Sequence, residues 1–280
     1  MKSLYDVPAP AKLNLFLHIT GRRSDGYHLL QSAFMLIDWC DTLHFELRAD
    51  GNISREDLTA SLPADDLIVK AAQLLQKFSA TALGAHISVA KSIPAQAGMG
   101  GGSSDAATCL LALNRLWKLN LPLSLLTQLG LKLGADVPFF LHGHNAWVEG
   151  IGEKMQSLDI PKAQFVVVKP AAGLATNAIF SDAALKRDTE TAIISGFAAY
   201  PFDFGRNDLQ PVAQKLCPDV TSALAWLSNQ GLQPRMTGSG SAVFAKIADG
   251  VNLDSETAPK DAVVKVCNNL SHHPLAGWAA

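Results

Sequence analysis

In the first hundred positions, some segments place apolar residues at the spacing of strands, and others place them at the spacing of helices. Residues 13–19, LNLFLHI, have the two-residue period of a half-buried strand, and residues 32–37 and 42–47 predict two further strands. Residues 64–78 have helical spacing, and their predicted buried stripe is Leu67, Ala71, Leu74, Leu75 and Phe78. Residues 86–90 predict another strand, which runs directly into a glycine-rich segment.

Beyond residue 100, the sequence again predicts both helices and strands. Residues 106–119 predict a largely buried helix with Cys109 as a small core residue, and Pro122 opens another helix. Residues 165–169 predict a buried strand, 221–230 a helix that Gly231 closes, and 236–247 a glycine turn leading into a strand. Since strands and helices do not alternate strictly, the pattern favours an α+β fold over a doubly wound sheet. A shift in composition near residue 160 predicts two domains, 1–160 and 161–280.

Composition narrows the functional class. The chain has 280 residues, of which 48% are hydrophobic and 17% charged, and this length fits one large or two modest globular domains. A net charge of −2 argues against a nucleic-acid partner. Four separated cysteines favour neither a zinc site nor a disulfide framework. Without a signal peptide or membrane span, we expect a cytoplasmic protein with no membrane partner and a solvated His272-His273 tail. The oligomeric state stays open.

The glycine-rich segment, PAQAGMGGGSSD at residues 94–105, is the strongest chemical signal in the sequence. Its glycines allow positive φ angles and a close approach of the backbone to a ligand. Successive backbone N–H groups, followed by the N-terminus of a helix, make a site for anions such as phosphate. A flexible linker is the alternative interpretation, but linkers do not usually join a β-rich run directly to an apolar helix.

Three common phosphate-binding classes do not fit this segment. A P-loop requires Gly-Lys, a dipeptide that the chain lacks. The dinucleotide fingerprint requires a third glycine where Ser103 stands, and an acidic residue that is missing between Asp105 and Asp136. A protein kinase requires His-Arg-Asp together with Asp-Phe-Gly; the chain has Asp203-Phe204-Gly205 but no His-Arg-Asp.

The segment resembles instead the second motif of the GHMP kinases, the superfamily of galactokinase, homoserine kinase and mevalonate kinase. Residues 8–34 look like the first motif of that family, and MTGSGSAVFA at 236–245 looks like the third. Within residues 8–34, PAKLNL followed by GRRSDGYH is similar to the branch that acts on a diphosphocytidyl sugar alcohol. GADVPFF (134–140), TNAIF (176–180) and the Asn207-Asp208 pair support the same branch.

The resemblance implies a nucleotide-binding α/β domain and a ferredoxin-like C-terminal domain with the active site between them. It implies ATP and Mg²⁺ as cofactors, with Ser104 as a weak candidate for the metal and no metal-binding carboxylate. The implied ATP-binding residues are Pro94, Ala95, Gln96, Ala97, Gly98, Met99, Gly100, Gly101, Gly102, Ser103 and Ser104.

The resemblance also implies a catalytic pair, Lys12 and Asp136. Asp136 would accept or orient the proton of a tertiary hydroxyl that receives the γ-phosphoryl group, a step of non-mevalonate isoprenoid precursor biosynthesis. Lys12 would favour the ionised form of Asp136. Without the motifs, Asp136 could equally be a turn or helix C-terminal residue before Pro138, and Lys12 a solvated lysine.

The implied substrate is a small molecule, a cytidyl sugar alcohol. Tyr27 would stack on the cytosine, His28 would bond its edge, and Phe180 would be a second stacking partner, although a lone phenylalanine is more often a core residue. Asn14 shares a strand face with Lys12, and Gly238, Ser239 and Gly240 either approach the ligands or form only a tight turn. Two rivals stay open, another GHMP kinase of the homoserine or mevalonate type and a non-catalytic nucleotide-binding regulator.

Overall fold

Two long antiparallel strands organise the N-terminal part of the fold. In the computed structural model, which describes residues 2–248 and 250–279, β1 (Ser3–Arg22) pairs with β2 (His28–Arg48) along nearly its whole length. The same sheet contains β3 (Ile53–Asp57), β4 (Gly84–Ala90), β5 (Ala146–Gly150) and β6 (Lys154–Ser157). Its order is β3-β4-β2-β5-β6, with β1 hydrogen-bonded to β2.

Helices pack on this first sheet. They are α1 (Leu67–Ser79), α2 (Gly101–Leu116), α3 (Leu123–Leu133) and α4 (Val137–His142). Nearly every side chain of α2 from Ser104 to Leu116 is buried, because α1, α3, α4 and the sheet surround it. A helix that is apolar on all sides has to be enclosed in this way. It therefore fixes the glycine-rich segment at its N-terminus to the centre of the domain.

A second sheet follows in the chain. Its strands are β7 (Gln164–Lys169), β8 (Arg235–Met236), β9 (Val243–Lys246) and β10 (Val263–Asn268), paired antiparallel in the order β10-β7-β9-β8. The helices of this part are α5 (Thr176–Ser181), α6 (Ile194–Ala199), α7 (Gln210–Leu216) and α8 (Pro218–Asn229), with a 3₁₀ turn at Ser255–Thr257. Val220 and Leu227 of α8 pack in one core with the valines of β7 and β9.

Strand β1 joins the two sheets. Its Leu15 and Phe16 share a hydrophobic cluster with Phe165 and Phe244 of the second sheet. The backbone of Leu17 bonds residues 206 and 208, at 2.9 Å and 2.8 Å. The polar residues of β1 are thereby held at the junction of the sheets, where a ligand could contact both. The chain division after residue 160 stays a prediction.

The α+β class is confirmed, and the strands predicted at 13–19, 86–90 and 165–169 fall within β1, β4 and β7. The two strands predicted at 32–37 and 42–47 are wrong in number, because β2 runs through both. The polar residues that suggested a break have partners from elsewhere: Asp38 bonds Asn268, and buried Asp41 bonds Lys91. Satisfied polar groups can occupy strand positions without ending the strand.

Other predictions need correction. Helix α2 begins at Gly101 rather than residue 106 and ends at Leu116, although helical glycine is unfavourable by about 1 kcal/mol relative to alanine. In α1, Phe78 is 47% exposed, and the buried face is Ile68, Ala71, Ala72 and Leu75. No helix in the described part of the chain is long and apolar enough to cross a membrane.

The solvated tail expected at His272-His273 is wrong for His273, which is 1% exposed. Its backbone N–H donates to Gly143 O at 2.7 Å, and its Nδ1 accepts from Leu275 N at 3.0 Å. Leu275 belongs to the core of the first sheet. Because burial penalises the charged imidazolium, the pKa of His273 falls to about 4.

Candidate active site

A cavity of about 860 Å³ lies at the junction of the two sheets. Its walls include Ile93 and residues 94–103 of the glycine-rich segment, together with Lys12, Asn14 and Asp136. The opposite wall is formed by Phe180 and the second glycine segment, 238–240. The structure therefore brings most of the predicted site residues to one concave surface, which is the usual form of a small-molecule site.

The glycine-rich segment has the backbone of an anion-binding loop. Gly98 and Gly100 both have φ of 72°, in the left-handed region that glycine enters most easily. Gly100 is the N-cap of α2, and no side chain caps the helix. The first backbone N–H groups of a helix have no intrahelical partner, so those of α2 remain available to a phosphate. The backbone conformation is the one that the sequence predicted at residues 94–104, and phosphate binding there stays a prediction.

The second glycine segment packs against the first. A Cβ on Gly98 would lie 2.3 Å from Thr237 O, and one on Gly238 would lie 2.6 Å from Gly98 O. The backbone N–H of Ser241 donates to Gln96 O at 3.0 Å. Glycine is required at both contact points because any larger residue would separate the two backbones. Residues 238–240 thus form a turn that also supports the phosphate loop.

Lys12 projects from β1 into the cavity and is only 3% exposed. It lies between two register shifts in the β1–β2 pairing, at Pro10/Lys12 and Asn14/Leu17. Such irregularities re-aim side chains near functional sites. Its ammonium donates to Asn14 Oδ1, lies 4.5 Å from the centre of the Phe34 ring and lies 3.8 Å from Asp136 Oδ2. Burial lowers the pKa of Lys12, and the negative charge of Asp136 opposes that shift.

Asp136 lies in the turn that precedes α4 and is the N-cap of that helix, so it is a turn residue before Pro138 and not a helix C-terminal residue. Its side chain caps no backbone N–H of that helix and is 34% exposed. The Lys12 ammonium is its salt-bridge partner. The carboxylate therefore keeps free lone pairs that face a cavity containing the phosphate loop, as a group that accepts or orients a proton requires.

Asn14 is 1% exposed and holds the base of the site together. It accepts from the Lys12 ammonium, donates through Nδ2 to Ser32 Oγ at 2.9 Å, and donates through its backbone N–H to Thr237 Oγ1 at 2.9 Å. With these contacts Asn14 orients the lysine and links β1 to the second glycine segment.

The residues expected to contact cytosine are only partly brought together. The rings of His28 and Phe180 lie 5.0 Å apart, and Phe180 lines the cavity. Tyr27 is 61% exposed in the β1–β2 turn, and neither it nor His28 lines the cavity around Lys12. Arg187 Nε donates to His28 Nε2 at 3.0 Å. Because guanidinium only donates, His28 Nε2 is the acceptor and the neutral ring carries its proton on Nδ1.

Arg187 is a residue that the sequence interpretation missed. Besides His28, it bonds the backbone carbonyls of Phe180 and Asp182, at 3.1 Å and 2.8 Å. Burial lowers the pKa of His28, and the charge of Arg187 lowers it further. No motif marks Arg187, because an arginine in a polar loop has the sequence signature of a solvated cation.

The Asn207-Asp208 pair supports the family resemblance, but the resemblance assigns no role to Asn207. It is 3% exposed, and its side-chain amide donates to the carbonyls of Met236 and Gly238, both at 2.8 Å. Asp208 beside it accepts from the backbone N–H of Ile19 at 2.8 Å. The pair therefore fixes the second glycine segment relative to β1.

Metal-ligand chemistry is sparse at this site. Within residues 2–248 and 250–279, no group of three or more His, Cys, Asp or Glu side chains is arranged to hold a metal ion. Ser103 lines the cavity, whereas Ser104 is fully buried outside its lining, and its hydroxyl has no hydrogen-bond partner among the described residues. These residues fit a cation that arrives bound to nucleotide phosphates rather than one held by the protein alone.

Comparison with known proteins agrees with this geometry. Residues 66–144 match the GHMP kinases N terminal domain, and residues 192–272 match the GHMP kinases C terminal domain. A protein of Albidiferax ferrireducens named 4-diphosphocytidyl-2-C-methyl-D-erythritol kinase is 68% identical over 279 residues, which cover 100% of this chain and 96% of the relative. A protein of the same name from Variovorax paradoxus is 64% identical, with 100% of both chains covered.

Solved structures of kinases are also similar to this chain. A crystal structure of 4-(cytidine 5'-diphospho)-2C-methyl-D-erythritol kinase is 29% identical, with a TM-score of 0.77, and the match covers 95% of this chain and 98% of that one. A mevalonate kinase structure is 15% identical, with a TM-score of 0.71 and coverage of 95% and 99%. At that identity the second likeness shows the fold alone.

Proposed function

The chain belongs to the 4-diphosphocytidyl-2-C-methyl-D-erythritol kinases within the GHMP kinase superfamily, and we propose from that premise that it phosphorylates the 2-hydroxyl of 4-diphosphocytidyl-2-C-methyl-D-erythritol. Full-length relatives at 64% and 68% identity carry the name of this activity. The structural observation that carries the proposal is the Lys12 ammonium, 3.8 Å from Asp136 in the cavity that contains the glycine-rich loop.

ATP is the phosphate donor that the family uses. We assign its phosphates to the loop at residues 94–104, where left-handed glycines and the N-terminus of α2 direct backbone N–H groups into the cavity. The second glycine segment, 238–240, supports the loop and faces the same space. Fixed amide dipoles of this kind neutralise phosphate charge without reorganising during the reaction.

Asp136 accepts the proton of the acceptor hydroxyl as its oxygen bonds to the γ-phosphorus. The bond between the γ-phosphorus and the bridging oxygen breaks, and ADP leaves with that bond's electron pair. Since the transition state of phosphoryl transfer is loose, positioning and charge neutralisation contribute more than basicity. The one-third exposure of Asp136 leaves room for the hydroxyl beside it.

Lys12 supplies the complementary positive charge. Its deep burial would favour the neutral amine, while the charge of Asp136 favours the ammonium. Asn14 and Phe34 fix the ammonium on the cavity side of β1. In that position Lys12 stabilises negative charge that develops on the acceptor oxygen as its proton leaves.

Mg²⁺ accompanies the nucleotide in this proposal. The Ser103 hydroxyl lies at the cavity and can supply one oxygen, while the phosphates and water supply the others. When bound, the cation neutralises charge on the β- and γ-phosphates.

The cytidyl end of the substrate is assigned to the neighbourhood of His28 and Phe180. Their packed rings provide an apolar face, and Nδ1–H of His28 provides a donor for an acceptor atom on the cytosine edge. Tyr27 is exposed and would reach the base only from the turn on which it lies.

The test is incubation of the protein with ATP, Mg²⁺ and 4-diphosphocytidyl-2-C-methyl-D-erythritol, followed by phosphorus NMR. The expected result is a new phosphomonoester signal on the acceptor and one equivalent of ADP. Homoserine and mevalonate serve as competing acceptors in parallel reactions. Release of inorganic phosphate without a phosphorylated acceptor, or equal turnover of homoserine or mevalonate, would overturn the proposal.

A further inference from the structure

Three charged side chains meet beneath the phosphate loop, although they come from separate elements. Asp41 lies on β2, Lys91 follows β4, and Asp105 lies in α2. The Lys91 ammonium donates to Asp41 Oδ2 and, at 2.5 Å, to Asp105 Oδ2. The exposed fractions of the Asp41, Lys91 and Asp105 side chains are 0%, 11% and 2%. We call these three residues the loop clamp.

The loop clamp joins the two ends of the phosphate loop. Lys91 lies just before residues 94–104, and Asp105 lies directly after them. A bond between these side chains restricts the loop that they flank, so fewer backbone conformations have to be lost when a ligand binds. The clamp therefore acts on the same amides that face the cavity.

Asp41 adds a second connection through the backbone. Its Oδ1 accepts from the N–H groups of Ser92 and Ile93, at 2.5 Å and 2.8 Å. Ile93 in turn supports the start of α2, because a Cβ on Gly101 would lie 3.1 Å from Ile93 Cγ2 and 3.6 Å from Asp41 Oδ2. One carboxylate thus bonds the backbone that enters the loop and lies beside the first residue of the helix that follows it.

Charge explains why all three residues are needed together. Burial raises the pKa of Asp105 to about 7, and the neighbouring Asp41 contributes to that rise against the opposing charge of Lys91. Burial alone would lower the pKa of Lys91, but the two carboxylates raise it. The ammonium is therefore kept, and loss of either carboxylate would leave a buried cation with fewer acceptors.

Lys91 and Asp105 line the cavity, whereas Asp41 is not among the residues of its wall. We propose that Asp41 is a positioning residue for ATP: through Lys91 and the amides of Ser92 and Ile93 it sets the geometry of the phosphate loop without touching the nucleotide. The inference deepens the proposed function, on which it rests, and concerns only the nucleotide half of the site.

The test compares Asp41→Asn with the wild-type protein in steady-state kinetics. Asparagine keeps an oxygen for the Ser92 and Ile93 amides but loses the charge that faces Lys91. We expect the KM for ATP to rise about tenfold or more, as for loss of a hydrogen bond to a charged group. The KM for the cytidyl acceptor should change less than about twofold, because loss of the clamp leaves the acceptor side of the cavity intact.

Asp38→Asn is the matched control, since Asp38 lies on the same strand but bonds Asn268 at the surface. It should leave both KM values unchanged. A merely structural role for Asp41 would lower the unfolding temperature and the amount of active protein without changing the ratio of the two KM values. An unchanged ratio in Asp41→Asn therefore overturns the inference.

A binding measurement separates this inference from the proposed function and does not require turnover. Thermal unfolding is followed with and without a non-hydrolysable ATP analogue. The wild type should be stabilised by the analogue, and Asp41→Asn should lose most of that shift. If the wild type shows no shift, the nucleotide assignment itself fails. If both proteins shift equally, Asp41 does not position the loop.

Discussion

Replacing Gly98 with alanine tests the contact between the two glycine segments. Gly98 has φ of 72°, and a Cβ there would lie 2.3 Å from Thr237 O and 2.9 Å from Gly240 N. Both neighbours are backbone atoms, so no side chain can rotate away. Contacts shorter than 3.4 Å are already tighter than ordinary packing. The two segments must therefore separate by about 1 Å, a displacement that can reduce catalysis about 10²-fold.

Gly231→Ala is the matched control. Gly231 has a similar φ of 78°, but among the described residues no atom beyond its chain neighbours lies within 4 Å of the position of its Cβ, and Gly231 does not line the cavity. In both variants, alanine in a left-handed conformation destabilises the folded state by about 1–2 kcal/mol. Only Gly98→Ala also forces the segments apart. Comparing the two variants thus isolates the effect of the contact from the effect of the backbone angle.

The assay is kcat/KM for ATP in both variants, with the free energy of unfolding from chemical denaturation. We expect kcat/KM of Gly98→Ala to fall about 10²-fold below that of Gly231→Ala, which should match the wild type. If Gly98→Ala keeps kcat/KM within about twofold of the control, the packing of the two segments does not set the loop geometry.

Three further predictions concern single side chains. Asp136→Asn should lower kcat about 10²- to 10⁴-fold and leave ATP affinity by calorimetry unchanged; retained kcat would refute its role. Arg187→Met should raise the KM for the cytidyl acceptor about tenfold but not that for ATP, because His28 and Phe180 lose their common donor, while Lys186→Met should change neither. His273 has a folded pKa of about 4, below its unfolded value of about 6.5, so the unfolded state binds the proton first as pH falls. Wild-type unfolding free energy should then drop by about 3 kcal/mol between pH 6.5 and 4, and a parallel curve for His273→Asn would contradict this.

The spacing and residue types in the sequence predicted several local features of the proposed nucleotide site. Glycines at 98 and 100 indicated positive φ angles, and both residues have them. The two-residue period of β1 indicated that Lys12 and Asn14 share a face, and their side chains are hydrogen-bonded. These features depend on residues close together in the chain, for which spacing is sufficient information.

Features that depend on distant residues were not predictable from spacing. Only a family resemblance connected Lys12 with Asp136, since nothing local relates a residue on β1 to the start of α4. The buried position of His273 depends on a backbone hydrogen bond to Gly143, which is 130 residues away in the chain and which spacing therefore does not reveal. The sequence predicts two strands where β2 is continuous, because Asp38 and Asp41 resemble a break when their partners are unknown.

Asp41 shows most clearly why a positioning residue carries no motif. A loop that binds phosphate through backbone amides needs glycine at particular positions, and this requirement leaves a pattern in the sequence. Holding such a loop in place needs only some acceptor that reaches Lys91, Ser92 and Ile93, and many positions in a fold could supply it. In this chain β2 supplies it, because β2 pairs with β4 up to the residue before Lys91. The catalytic geometry of the loop therefore depends on strand register, which is fixed by the sheet as a whole.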